Sequence, residues 1–276
     1  MFATFVAAIL TVLVGSPHPA RAQTAGGGGF SAEAFDAWVA ARIGTGAPVY
    51  WYSEGTVRKY PSGELVARME GFDTARRVAG SAPGRVDQLS RKTYIYRDPK
   101  SGARLTAVNG VALPSIKYSY QHMSYWLDGE QLMSTVTQGV GKGVRTLGPS
   151  GGMAAEKIGD TWAFTAPVYL DWKTPNGGAY QAFENYDFFI NPAGTVSQPN
   201  QLSWVRYGDL PPALGGGPGI MHMVSWRVDS FDALPEPIKD YVRAEAPLWL
   251  APPKDVAEIK AIQALAAEKD VQGFGG

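Results

Sequence analysis

The chain has 276 residues, with 25 basic and 25 acidic side chains, three histidines and no cysteine. Balanced charge without a basic run argues against nucleic acid as a partner. The lack of cysteine removes disulfides, thiolate catalysis and cysteine-ligated zinc, so stability must come from a core that a domain of this size can build.

Phe2 to Val14 is apolar, Gly15 and Pro17 break the run, and Ala20-Arg21-Ala22 offers the small residues that a signal peptidase reads. Residues 1–22 are therefore expected to be a signal peptide, which makes the mature chain periplasmic or secreted. The n-region lacks the usual Lys or Arg. The apolar run falls short of the roughly 20 residues needed to span a bilayer, and no cysteine offers a lipid site, so no stable membrane anchor is expected. Residues 23–30 read as a flexible, Gly-rich leader.

Ser31 is placed to N-cap a helix through Ile43, with Phe35, Trp38, Val39 and Arg42 on one side and Gly44 and Gly46 at its end. From Val49 the pattern turns to period two. Strands are expected at 49–60, 64–78, 89–98, 104–108, 116–127, 131–138, 161–172, 179–190, 202–207 and 220–228. Between them stand turn signals such as Pro61-Ser62-Gly63, Asn109-Gly110, Asn176-Gly177-Gly178 and Asn191-Pro192-Ala193-Gly194. Asp128-Gly129 between two alternating runs is the strongest hairpin signal.

Helix returns at Phe231–Ala244, interrupted by Pro235 and Pro237 and stopped by Pro247. Asp255–Asp270 carries a 3.6-period stripe of Val256, Ile259, Ile262 and Leu265, read as a packing helix across the barrel or its mouth. One β-rich domain over 31–270, with a disordered tail at 271–276, is the expected organisation. The fold class is mainly β: an antiparallel calycin-like barrel or curved sheet with peripheral helices, with a β-sandwich as the alternative.

Two histidines lie in aromatic-rich strands. Tyr118, Tyr120, His122 and Trp126 share one parity, as do Ile220, His222, Val224 and Trp226. If the first face is interior, His122 can move a proton and Tyr118 and Tyr120 can donate to a developing enolate or phenolate. The competing reading for each histidine is a core imidazole with a satisfied hydrogen bond. Trp204 and Arg206 share a face, where a guanidinium can clamp a carboxylate or pair with Glu184 or Asp187. Glu184 shares its parity with Tyr186 and is the best acidic candidate. No nucleophile elbow, zinc helix or phosphate loop is present, and neither a metal nor another cofactor is expected.

Three blocks, Val49–Val78, Ser90–Leu105 and Leu202–Val242 followed by Ala251-Pro252-Pro253, resemble the bacterial and fungal domain-of-unknown-function family 1838. Trp204-x-Arg206, Pro211-Pro212 and His222 fit that family's C-terminal pattern. The middle departs from it, with Ala107-Val108-Asn109-Gly110 where the family has a His-Val-x-Asn-Asp-Pro-like segment. The resemblance implies one domain and no established activity, and it singles out Trp204, Arg206 and His222.

The residues point first to a cofactor-independent lyase, isomerase or cyclase acting on a small aromatic or lipophilic compound. In that reading His122, His222, Tyr118 and Tyr120 do acid–base work. Arg206, Trp204, Trp126, Trp226, Glu184 and Tyr186 hold the substrate. The alternative is a periplasmic binding or carrier protein with the same pocket and no turnover. A cell-envelope interaction protein, with its aromatic faces closed into core, is the third. Nothing in the sequence sets the oligomeric state.

Overall fold

A computed structural model of the chain describes residues 29–140, 143–173, 179–194 and 199–268. The expected signal peptide, most of the leader, the Asn176-Gly177-Gly178 turn and the C-terminal tail lie outside the described residues. Ten long strands are present: β1 (Val49–Lys59), β2 (Leu65–Val78), β3 (Val86–Arg97), β4 (Ile116–Asp128), β5 (Gln131–Val140), β6 (Gly143–Ile158), β7 (Thr161–Lys173), β8 (Ala179–Ile190), β9 (Gln201–Asp209) and β10 (Pro218–Val228). Each pairs antiparallel with its sequence neighbours, and β10 pairs with β1, so the sheet closes into an up-and-down barrel. The fold is a calycin-like barrel with a few peripheral helices, and closure removes the exposed edges that a sandwich would leave.

Three observations explain why these residues form these strands. Alternating β-branched and aromatic runs suit a pleated wall with two different faces. Positive-φ glycines sit at the hairpins, as at Gly129 (φ 59°) between β4 and β5 and Gly159 (φ 60°) between β6 and β7. In the long β3–β4 connection, Ala107–Val108 pairs with Val111–Ala112, and Asn109 (φ 49°) and Gly110 (φ 77°) supply the two positive-φ positions of a tight turn.

The strand faces are fixed by contacts across the lumen. Trp51 of β1 meets Phe188 of β8 edge-on at 5.7 Å, although two strands separate them in the sheet. Residues in register with Trp51, such as Asp73 and Arg227, therefore share the inner face. One end of the barrel is plugged by α1 (Ala32–Ile43), whose N-cap Ser31 accepts from the Ala34 amide. Trp38 of α1 packs edge-on against Tyr125, Phe164 and Phe188, which come from three different strands. Burying such a side chain contributes about 3–5 kcal/mol by the effect of its removal. Phe30, expected in the mobile leader, is instead buried and stacked on Phe164 at 5.3 Å.

The other end holds a second apolar layer. Val57, Met69, Tyr96, Met221 and Met223 of the wall meet Leu113, Leu210, Ala213 and Leu214 from two connections. Outside, α2 (Glu236–Glu245) and the turn Pro247–Leu250 cover β1–β3, where Tyr50, Phe72 and Ile95 meet Ile238, Val242 and Trp249. The Trp249 indole donates to the Lys92 carbonyl at 2.8 Å.

α3 (Val256–Glu268) lies along the outer wall and not across a mouth: Ile259 and Ile262 pack on Leu89 and Tyr120. Arg91 binds Glu258 there at 2.5 Å, and Gln263 donates to the Tyr120 hydroxyl at 2.9 Å. Burial works against the Glu258 charge. The Lys254 amide and the Arg91 guanidinium outweigh it and hold this carboxyl below its usual range.

Candidate functional site

Between the two apolar layers the inner wall carries a polar band. Ser53 of β1 and Ser225 of β10 are joined by a hydrogen bond of 2.7 Å, and Gln121 of β4 donates to Gln138 of β5 at 2.8 Å. Arg42, projecting from the plug helix, binds Asp73 of β2 at 2.6 Å, with both side chains only 11 % exposed. Burial opposes the Arg42 charge, and Asp73 with the nearby phenols of Tyr125 and Tyr94 overcomes it, so the guanidinium is held above its ordinary pKa.

On the opposite wall β8 and β9 bring four residues together. Register places Glu184 beside Arg206 and Tyr186 beside Trp204. The Tyr186 hydroxyl donates to Glu184 Oε2 at 2.7 Å, the Trp204 indole donates to the same oxygen at 3.4 Å, and Arg206 Nε lies 3.9 Å from Glu184 Oε1. The Glu184 and Arg206 side chains keep 13 % and 22 % of their surface accessible although they face the lumen, so the barrel interior retains open space beside them.

Phenols from three strands connect the two walls. Burial, then the Glu184 carboxylate, pushes Tyr186 well above the ordinary phenol range, with smaller contributions from Tyr118 and Tyr94. Tyr94 is raised by burial and then by Asp73, and the Ser53 hydroxyl works the other way. Tyr96 is pushed up to about 12 by burial, against the nearby Arg206 charge. These hydroxyls stay protonated at neutral pH and serve as hydrogen-bond donors. Tyr94 owes its place to Gly71, its cross-strand partner: a Cβ at that glycine would come within 2.5 Å of the ring. Lys92, two residues before Tyr94 on the same face, sits over the Tyr118 ring at 4.9 Å. The band therefore offers two held carboxylates, Asp73 and Glu184, three cations, Arg42, Lys92 and Arg206, and several phenols around a shared space.

The expected site residues divide between the two faces. Glu184, Tyr186, Trp204 and Arg206 converge as described, and Tyr118 also faces inward. The single face assigned to Tyr118, Tyr120, His122 and Trp126 must be corrected. The pairing of β4 shifts register between Tyr118 and Tyr120, and this bulge moves every later residue to the opposite parity. Tyr120 and His122 are consequently on the outer wall, in register with Gly139 and Thr137.

His122 Nε2 lies 2.8 Å from Asp87 Oδ2, and Asp87 also accepts from the Ser81 amide at 3.1 Å. Trp126 carries the Arg85 guanidinium over its ring at 3.9 Å. His222 is exposed on the outer face of β10, 3.3 Å from the Ser203 hydroxyl. Trp226, on the same face, stacks on Tyr52 at 6.4 Å. The two histidines share no cavity: β1, β2 and β3 stand between their strands on one side of the barrel and five strands on the other.

Lys92, Tyr94, Tyr96 and the Arg42–Asp73 pair are inner-wall residues that sequence reasoning did not single out. The parity of Gln88, Ser90, Lys92, Tyr94 and Tyr96 along one strand was the available signal. Among the described residues no group of three or more His, Asp or Glu side chains is arranged to hold a metal ion, and no helix is long and apolar enough to cross a membrane.

The closed wall around a polar lumen is that of a calycin-like β-barrel. Comparison with known protein families, curated proteins and solved structures returns no match.

Proposed function

We propose that the chain takes a small aromatic or lipophilic molecule bearing an anionic group into its lumen and acts on it by cofactor-independent proton transfer, as a lyase, isomerase or cyclase. The convergence of Glu184, Tyr186, Trp204 and Arg206 on the open lumen carries this reading. Arg206 and Lys92 anchor the anionic group, and Trp204 supplies an aromatic wall. Glu184 accepts a proton from the bound compound, and the phenols of Tyr94 and Tyr118 donate to the oxygen on which negative charge develops. The proton roles assigned to histidine on sequence grounds pass to Glu184 and these phenols, because both histidines are on the outer wall.

The apolar run before Ala22 supports action in the periplasm or outside the cell. Membership of family 1838 is part of the proposal, through Trp204 and Arg206.

A carrier without turnover is the second reading. It is favoured by the two donors that already occupy Glu184 Oε2, the oxygen a substrate proton would need. Titration with 8-anilinonaphthalene-1-sulfonate, an anionic aromatic probe, tests the site common to both. One probe per chain is expected to bind, with affinity lowered about tenfold in Arg206→Gln, the effect of losing one charge-assisted contact. Binding that Arg206→Gln leaves untouched contradicts the lumen site.

A further inference from the structure

The outer wall holds a second cavity, of about 580 Å³, between β1, β2, β10 and the start of α2. That volume suits a small molecule. Its apolar walls are the stacked rings of Tyr52 and Trp226, 6.4 Å apart and inclined by 26°, with Pro235 and Pro237 facing them.

The charges are arranged in register. Glu54 stands opposite Glu70, and Thr56 opposite Arg68, so Glu54 and Arg68 are diagonal neighbours on one face. Glu70 is buried and is neutralised by Arg97 at 2.5 Å. The Tyr52 hydroxyl lies 2.5 Å from Glu54 and 3.1 Å from Glu70, but it has only one proton to give. One of those two carboxylates therefore faces the phenol oxygen without a proton between them, an arrangement that a further donor relieves. Arg68 is exposed and has no ion-pair partner among the described residues.

We propose that this groove binds a small zwitterion with an aromatic body, of the aromatic amino-acid type. Its ammonium binds Glu54 beside the Tyr52 hydroxyl and over the Tyr52 and Trp226 rings, and its carboxylate binds Arg68. A simple cation leaves Arg68 unanswered, and a simple anion adds to the crowding of negative charge at Tyr52. The aromatic faces and prolines suit a planar side chain. This site is separate from the lumen and does not depend on the reading of it, since its residues are on the opposite face of the wall.

Calorimetric titration of the chain tests the assignment with three probes: L-phenylalanine, 3-phenylpropionate without the ammonium, and 2-phenylethylamine without the carboxylate. L-Phenylalanine is expected to bind at least tenfold more tightly than either fragment. Glu54→Gln should weaken L-phenylalanine and 2-phenylethylamine and spare 3-phenylpropionate, and Arg68→Gln should weaken L-phenylalanine and 3-phenylpropionate and spare 2-phenylethylamine. Both side chains are exposed, and unchanged melting temperatures verify that each variant folds. The proposal is overturned by no heat from any probe, by equal binding of the three, or by loss of binding in Arg206→Gln with Glu54→Gln unaffected. The last result would place the ligand in the lumen.

Discussion

Inside the barrel, Glu184 meets Arg206, Tyr186 and Trp204; outside it, Asp87 meets His122 and Ser81. Both are acid–base groupings on strands of one wall. They differ in what lies around them. The inner grouping borders open lumen space enclosed by aromatic rings, where fixed charges act strongly and a ligand can be surrounded. The outer one is a tie between β3 and β4: Asp87 is buried and keeps the Ser81 donor, while His122 covers it on the solvent side. An imidazole close to a carboxylate is therefore no sign of chemistry by itself, and the face of the strand decides.

The first way to sharpen this comparison is to break one pair on each face. Arg42→Met leaves Asp73 charged and buried inside the barrel, and a loss of about 3–5 kcal/mol in urea unfolding is expected. Alkaline pH probes the inner face without mutation. Tyr96 and Tyr125 are buried, and burial is the main reason each rises from an ordinary 10.0 to about 12. A raised phenol pKa stabilises the fold fully below the unfolded value and loses that contribution as pH rises through the folded one. Stability should therefore fall between about pH 10 and 12, by roughly 3 kcal/mol per phenol. Tyrosinate absorbance at 295 nm that rises together with unfolding, and not before it, is the check.

On the outer face, His122→Ala should cost about 1–2 kcal/mol in the same urea experiment, because Asp87 loses one partner and keeps another. Probe affinity should stay within twofold of the parent. His222→Ala should change stability by less than about 0.5 kcal/mol, as expected at an exposed position with one long hydrogen bond. A loss of probe binding in either histidine variant would erase the distinction between the faces.

Much of the barrel was legible in the sequence because its signal is local. Alternation and turn chemistry marked nine of the ten strands to within a few residues, and the Asp128-Gly129 hairpin forms as expected. β6 was missed because Gly143–Ile158 holds four glycines and a proline, a composition that reads as loop until neighbouring strands pair with it. The run at 104–108 promised a strand and yields only two-residue pairings.

At the site, Trp204, Arg206, Glu184 and Tyr186 were legible because β8 and β9 keep regular parity. His122 was misplaced because a bulge is one residue of backbone geometry with no signature in side-chain alternation. Arg42 and Asp73 belong to a helix and a strand 31 residues apart, and only the plugging of the barrel end by α1 brings them together.

Native mass spectrometry of the chain purified from the cells that make it tests the central claim most directly. The lumen account predicts one small-molecule adduct per chain, retained in a His122→Ala/His222→Ala double variant and lost in Arg206→Gln and Glu184→Gln. An adduct that survives both lumen variants, or that disappears with the histidines, would contradict it.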